Sequence, residues 1–257
     1  MWVPDETHEA VRDLVRTRAM TVEDYRRKRQ HVSAFLLRHG RRYDGKASWR
    51  GRHKRWLDGQ TFAHPAQRLA YQEMLNAVQA TVERLDRLEA ALVELVPDWT
   101  MAPVVAAFQA MRGVQFITAV TVVAEAGDLR RFEHPRQLMA FLGLVPSERS
   151  TGETRRQGGI TKTGNSRARK VIVEAAWTYR YSAGLGVGHQ RRLQDLPEAV
   201  RDVAWKAQTR LCARYRRMTA KGKRNTVVVV AIAREIAAFL WAIAQQVAPR
   251  PHPGVAA

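Results

Sequence analysis

Apolar side chains recur at three- and four-residue spacing along almost the whole of this 257-residue chain, and alternating stretches are few and short. That is the period an α-helix presents to a core, so the chain is expected to be mainly α. Residues 6–38 read as one long helix, opening in acids that suit a helix N-terminus and closing at His39-Gly40. A second runs from 65 to about 96, where Leu75, Val78, Val82, Leu85, Glu89, Leu92 and Val96 keep a heptad spacing interrupted only by Glu89. Such a seam serves either a short coiled coil between copies, giving a homo-oligomer, or an antiparallel helix pair within one chain.

Pro97-Asp98-Trp99 ends that helix and marks a boundary. The expected organisation is a basic helical linker over 1–58, a coiled-coil-like helix over 59–97, a compact helical domain over 98–220, and a packing helix with a tail over 221–257. Within the compact domain three short helices fall at 104–112, 116–125 and 135–142, and 144–161, with Pro146, Gly152, Gly158 and Gly159, reads as a hairpin or extended loop. The junction around Gly113 resembles a helix-hairpin-helix. Gln115 stands where a second glycine belongs, so Gly113 is open to two readings, phosphate contact or helix C-cap.

Charge narrows the partner. Lys and Arg number 43 against 24 Asp and Glu, for a net charge of +19, and an excess of that size attracts polyanions by releasing their counterions. It is segmental: residues 26–56 hold twelve Lys and Arg against one acid, Asp44, while 57–99 hold three against seven acids. Nucleic acid is therefore the expected partner, ahead of a membrane surface. A basic connector over 41–55 carries Tyr43 and Trp49 between its cations, with Trp56 directly after it, and these aromatics either stack on unpaired bases or anchor the loop to the core. The most apolar stretch, 226–244, carries Arg234-Glu235 at its centre, which argues for a buried helix and against a membrane span. With no signal-peptide pattern and one cysteine, Cys212, read as a buried hydrophobe, the expected compartment is a reducing cytoplasm.

Ser147, Ser150 and Thr151 are the candidate nucleophilic hydroxyls. A serine needs a base or strong oxyanion stabilisation, and spacing shows no base; Arg149, Arg155, Arg156 and Lys162 are the nearby cations. By composition alone Ser-Thr-Gly is commonly an ordinary turn. Downstream, Asn165 or Ser166 can cap a helix whose first turn, with Arg167 and Arg169, offers an anion site. Lys206, Arg210, Arg214 and Arg217 form a cationic row at i, i+4, i+8 and i+11, which is either solvated or follows a phosphate backbone. The histidines lack metal-ligand spacing, so no metal site is expected in this chain.

The run from Gly143 through Pro146, Ser147, Ser150-Thr151-Gly152 and Gly158-Gly159-Ile160-Thr161-Lys162 to Asn165, preceded by Gly127-Asp-Leu-Arg-Arg-Phe132 and Pro135-Arg-Gln-Leu-Met-Ala-Phe-Leu142, resembles the C-terminal transposase domain of the IS110 insertion-sequence family. That resemblance implies DNA recombination guided by an element-encoded structured RNA. It also implies that Ser150, beside Thr151, is the attacking serine. It further implies a resolvase-like domain whose four acids bind magnesium, and these would lie upstream of Trp2; Asp5, Glu6 and Glu9 do not match them. No cofactor is thus expected within this chain. Two other readings stay open: a noncatalytic remnant that associates with or inhibits the full-length enzyme, and an independent structural DNA binder.

Overall fold

A computed structural model describes residues 4–45, 49–148 and 157–251. The fold is mainly α, with ten α-helices and one two-stranded hairpin among the described residues. It comprises two compact units, one of residues 16–93 and one of residues 1–15 with 94–257.

In the first unit, α1 (Glu6–Arg38) contributes its residues from 16 onward, followed by α2 (Gly51–Asp58) and α3 (Pro65–Leu95). Gly40, at φ +68, ends α1 as expected, its amide and that of Arg41 reaching back to Leu37 and Leu36 carbonyls. Val32, Phe35 and Leu36 of α1, Leu57 of α2, Phe62, and Tyr71 and Val78 of α3 form the core. Phe35 stacks on Tyr71 at 5.9 Å between ring centres, and Arg18 reaches Glu89. Low numbers on α1 thus meet high numbers on α3: the pair is antiparallel. Leu75 and Val78 of the heptad seam pack into the core of this unit, one of the two uses their spacing allows. Tyr71 donates its hydroxyl to the Leu57 carbonyl at 2.9 Å, and burial pushes its pKa up to about 12.

The basic stretch after α1 is partly helical, since α2 lies at its end. Trp49 donates its amide to His53 Nδ1 at 2.7 Å, and Tyr43, His53 and Trp56 pack ring on ring. Trp49 and Trp56 pack against the core, as the anchoring reading expects.

In the second unit, α4 (Ala102–Phe108), α5 (Phe116–Ala126), α6 (Pro135–Phe141), α7 (Ser166–Ala176), α8 (Val187–Leu193) and α9 (Glu198–Ala220) accompany α10 (Asn225–Ala244). By length and composition α10 is apolar enough to cross a bilayer. Here Val228, Val229, Ile232, Ile236, Leu240 and Ile243 are buried and the helix packs on α6, α7 and α9, so it is the centre of a core. The last carbonyls of α5 have no helical partners of their own. Ala124 O receives His8 Nε2 at 2.9 Å and Arg12 Nε at 2.7 Å, and Ala126 O receives Arg131 Nε at 3.2 Å. Trp99, at 1% exposure, meets the His8 ring edge-on at 5.0 Å. Gly113 has φ +80, and a Cβ there would lie 2.6 Å from Ala175 O and Thr178 Oγ1, so its glycine is required by close packing.

Candidate active site and nucleic-acid interface

A hairpin follows α6. Strands β1 (Pro146–Glu148) and β2 (Gln157–Ile160) pair antiparallel, Pro146 opposite Ile160 and Glu148 opposite Gln157, with a register irregularity between. The connecting loop, with Arg149, Ser150, Thr151, Arg155 and Arg156, lies outside the described residues.

Thr161 N donates to Val145 O at 2.9 Å, Lys162 N to Gly143 O at 3.1 Å and Asn165 N to Phe141 O at 2.9 Å, closing the stem below the ladder. Two glycines make that approach possible. A Cβ on Gly143, at φ +63, would sit 1.9 Å from Thr163 O; one on Gly164, at φ +80, would sit 2.1 Å from Phe141 O. The glycines of the motif are thus dictated by backbone meeting backbone. Ser147 donates its hydroxyl to Gly159 O at 3.0 Å, tying one strand to the other.

Asn165 is the N-cap of α7: its Oδ1 accepts from Ala168 N at 2.9 Å and its Nδ2 donates to Glu125 Oε2 at 2.7 Å. Both ends of its carboxamide are engaged, and Glu125 is buried at 5% exposure, so Asn165 locks the hairpin's exit to the core. Arg169 donates to Leu142 O at 2.8 Å and Thr163 O at 3.2 Å, satisfying carbonyls at the stem. Arg167 is exposed on the first turn of α7.

Beside the stem opens a cleft of about 650 Å³. Its floor and walls come from Gly158, Gly159 and Ile160 of the hairpin and from apolar residues of α6 and α10, and its cations are Lys162, Arg210, Arg214 and Arg234. Glu235 organises them. Arg210 Nε donates to Glu235 Oε2 at 2.7 Å, and Arg214 Nε lies 2.7 Å from Glu235 Oε1 as an ion pair without hydrogen-bond alignment, so one carboxylate pairs with two guanidinium groups. The hydrogen bond sets the planar fork of Arg210, the carboxylate charge keeps Arg214 beside it, and the outer nitrogens of both suit an oxyanion such as phosphate. Arg234 donates to Met139 Sδ at 3.4 Å.

The fold therefore joins three sequence candidates, Lys162, Arg210 and Arg214, at one cleft, while Lys206 and Arg217 stay exposed on α9 and do not line it. Arg234 and Glu235 were legible only as charges unsuited to a membrane. Their signal was a charge pair at the centre of an otherwise apolar helix, a place where burial demands partners. Lys162 itself adopts φ +59, unusual for a side-chain-bearing residue, at the turn from β2 toward α7. Among the described residues no group of three or more His, Cys, Asp or Glu is placed to hold a metal ion.

Residues 105–187 match the family model described as Transposase IS116/IS110/IS902 family. The chain is 54% identical over 246 residues to putative transposase y4qE of Sinorhizobium fredii, covering 96% of this chain and 60% of that protein. It is 26% identical over 228 residues to the transposase for insertion sequence element IS1533 of Leptospira borgpetersenii, covering 86% of this chain and 64% of that protein. To a probable family 20 transposase of Pseudomonas aeruginosa it is 33% identical over 134 residues, 52% of this chain and 33% of that protein. The chain thus spans less than two thirds of the length of each of these relatives.

Proposed function

Because this chain belongs to the IS116/IS110/IS902 family of insertion-sequence transposases, we propose that it binds DNA and takes part in transposition through attack of Ser150 on a phosphodiester. The observation that carries the reading is the cleft: a cationic recess lined by Lys162, Arg210, Arg214 and Arg234 adjoins the hairpin in whose loop Ser150 stands.

The Ser150 oxygen forms a bond to phosphorus as the bond from phosphorus to one deoxyribose oxygen breaks, and the departing oxygen takes up a proton. The phosphoserine formed conserves the diester, so a hydroxyl of the exchange strand can attack it, reseal the backbone and return the serine. The contribution assigned to the cleft is electrostatic: guanidinium groups already paired with Glu235 meet the nonbridging oxygens as their charge grows. The proton lost by the Ser150 hydroxyl is balanced by the one the departing oxygen takes up.

The segmental charge suits a second polyanion. By the family resemblance this is a structured guide RNA, and the cation-rich segment 26–56 is the contact we assign to it. Action in the cytoplasm is part of the same proposal.

The test supplies the chain with an acidic resolvase-like domain and follows labelled DNA on a denaturing gel. A covalent protein–DNA adduct is expected for the unmodified protein and for Ser147→Ala, and is expected to vanish in Ser150→Ala while binding and folding persist. An adduct surviving in Ser150→Ala overturns the assignment. Binding with no adduct from the unmodified protein replaces catalysis with a purely nucleic-acid-binding role.

A further inference from the structure

The first unit has a cleft of its own, about 510 Å³, that the chemistry above does not use. Tyr25 of α1 and Trp49 of the connector stand in its wall, Lys54 of α2 and Arg68 of α3 add two cations, and Asn76 and Gln79 add carboxamides. Arg29 lies against both aromatic rings, its Cζ 5.1 Å from the centre of Tyr25 and 4.9 Å from that of Trp49.

Trp49 is held there against local preference. Its φ of +63 is a left-handed conformation that bulky side chains rarely adopt, and the surrounding contacts fix it: the amide bond to His53 Nδ1 at 2.7 Å, the His53 ring at 5.5 Å, and Arg29. The half-buried indole contributes to core packing and also lines the cleft. Its neighbourhood belongs to the segment 26–56, the stretch with twelve Lys and Arg against one acid.

We propose that this cleft seats one unstacked base of a single-stranded nucleic acid, RNA or DNA, with Trp49 and Tyr25 against the base and Lys54 and Arg68 beside the adjoining phosphates. The volume falls within the roughly 300–1,000 Å³ usual for pockets that enclose a small molecule. Aromatic walls accept any base by its π-face, while the carboxamides of Asn76 and Gln79 are engaged with Gln72, Glu73 and Glu83 along α3 and leave the site without a strict edge code. A duplex is excluded as the occupant because its bases are already stacked and paired, leaving no face for Trp49. The proposal rests on the nucleic-acid-binding reading above but adds a base-dependent site to what charge alone would give.

The test measures binding of the full chain to three 12-nucleotide strands with the same number of phosphates: oligoriboadenylate, oligodeoxyadenylate and a fully abasic strand. At least one adenylate strand is expected to bind about tenfold or more tightly than the abasic strand, in line with the roughly 1–3 kcal/mol carried by one base–aromatic contact, and comparison of the two adenylates identifies the sugar preferred. Trp49→Ala and Tyr25→Ala should each shrink that base dependence below threefold with the salt slope unchanged. Trp49→Phe should preserve it, which separates a lost contact from a lost fold. Base dependence that survives in both alanine variants, or is absent from the unmodified chain, overturns the pocket. If no strand binds at all, it is the electrostatic reading of the chain that fails.

Discussion

Arg18 donates from both Nε and Nη2 to one oxygen of Glu89, at 2.9 and 2.6 Å, across the antiparallel α1–α3 pair of the first unit. Glu89 is the residue that interrupts the heptad spacing of α3, and the contact explains the interruption: the position is not a failed apolar knob but the acceptor for a cation on the facing helix. Both side chains are partly exposed, so solvent screens the pair. Its coupling in a double-mutant cycle of Arg18→Ala and Glu89→Ala is expected at about 0.5–1 kcal/mol by urea denaturation, falling in high salt. Coupling near zero at low salt would assign Glu89 to the solvated face.

The glycines of the hairpin stem make a sharper case. Gly143→Ala should destabilise by at least about 2 kcal/mol, since it adds a Cβ to left-handed backbone and drives it into the Thr163 carbonyl. Gly159 has no atom within 4 Å of the place a Cβ would take. Gly159→Ala should therefore stay within about 0.5 kcal/mol of the unmodified protein. Equal midpoints for the two variants in chemical denaturation would contradict the stem geometry.

These cases show where the sequence could be read and where it could not. The ends of α1 and α3 were legible because each is written locally: acids then an apolar row then Gly40 for the first, Pro65 and Pro97 around the second. The hairpin was legible from Pro146 and the paired glycines. Helix α2 was masked because its sequence, Gly-Arg-His-Lys-Arg-Trp-Leu-Asp, shows only His53 and Leu57 to the interior, four residues apart and too few to register as a period. The cleft was half legible. The row on α9 supplied Arg210 and Arg214, yet their partner Glu235 lies on another helix, and no spacing rule connects positions brought together only by packing of α9 on α10. Arg169 and Asn165, chosen as anion ligands by charge and cap position, have carbonyls and a buried carboxylate as their partners.

Acidification should weaken the fold through its buried histidines. Burial is the largest influence on His8, His53 and His189, and holds each below the ordinary imidazole value of 6.5. The folded state thus binds protons less readily than the unfolded chain, so stability is full above pH 6.5 and declines as pH falls toward the folded values. Urea midpoints measured from pH 7.5 to 5 should fall progressively. Exchanging His8 for Gln, which can still donate to Ala124 O, should flatten part of that decline. A midpoint that rises on acidification through this range would contradict the sign.

Ser147 separates a structural hydroxyl from a reactive one. Its hydroxyl already donates to Gly159 O across the strands, and Ser147→Ala removes that one partly solvated bond. A loss of about 0.5–1.5 kcal/mol is expected in thermal or urea unfolding, together with faster hydrogen exchange at the Thr161 amide, which closes the same stem. Unchanged exchange there would mean the hydroxyl does not tie the strands.

Glu235 offers the most informative substitution in the cleft, because charge and geometry predict opposite effects. It is the acid among Lys162, Arg210, Arg214 and Arg234 in the cleft lining, so Glu235→Gln raises the local positive potential and should tighten salt-sensitive binding of DNA. The same change removes the anion that pairs with Arg214 and holds Arg210 by its Nε, leaving two long side chains free to sample other rotamers. If the two forks act on the phosphate as its charge develops, strand transfer measured in a single turnover, with the acidic domain supplied, should slow by on the order of tenfold to a hundredfold despite the tighter binding. Arg210→Ala and Arg214→Ala should instead weaken binding and rate together, each lowering the salt slope by up to about 0.9 if it contacts one phosphate. A Glu235→Gln protein that binds more tightly and reacts as fast as the unmodified one would show that the arginines need no orientation, and would reduce Glu235 to a counter-charge.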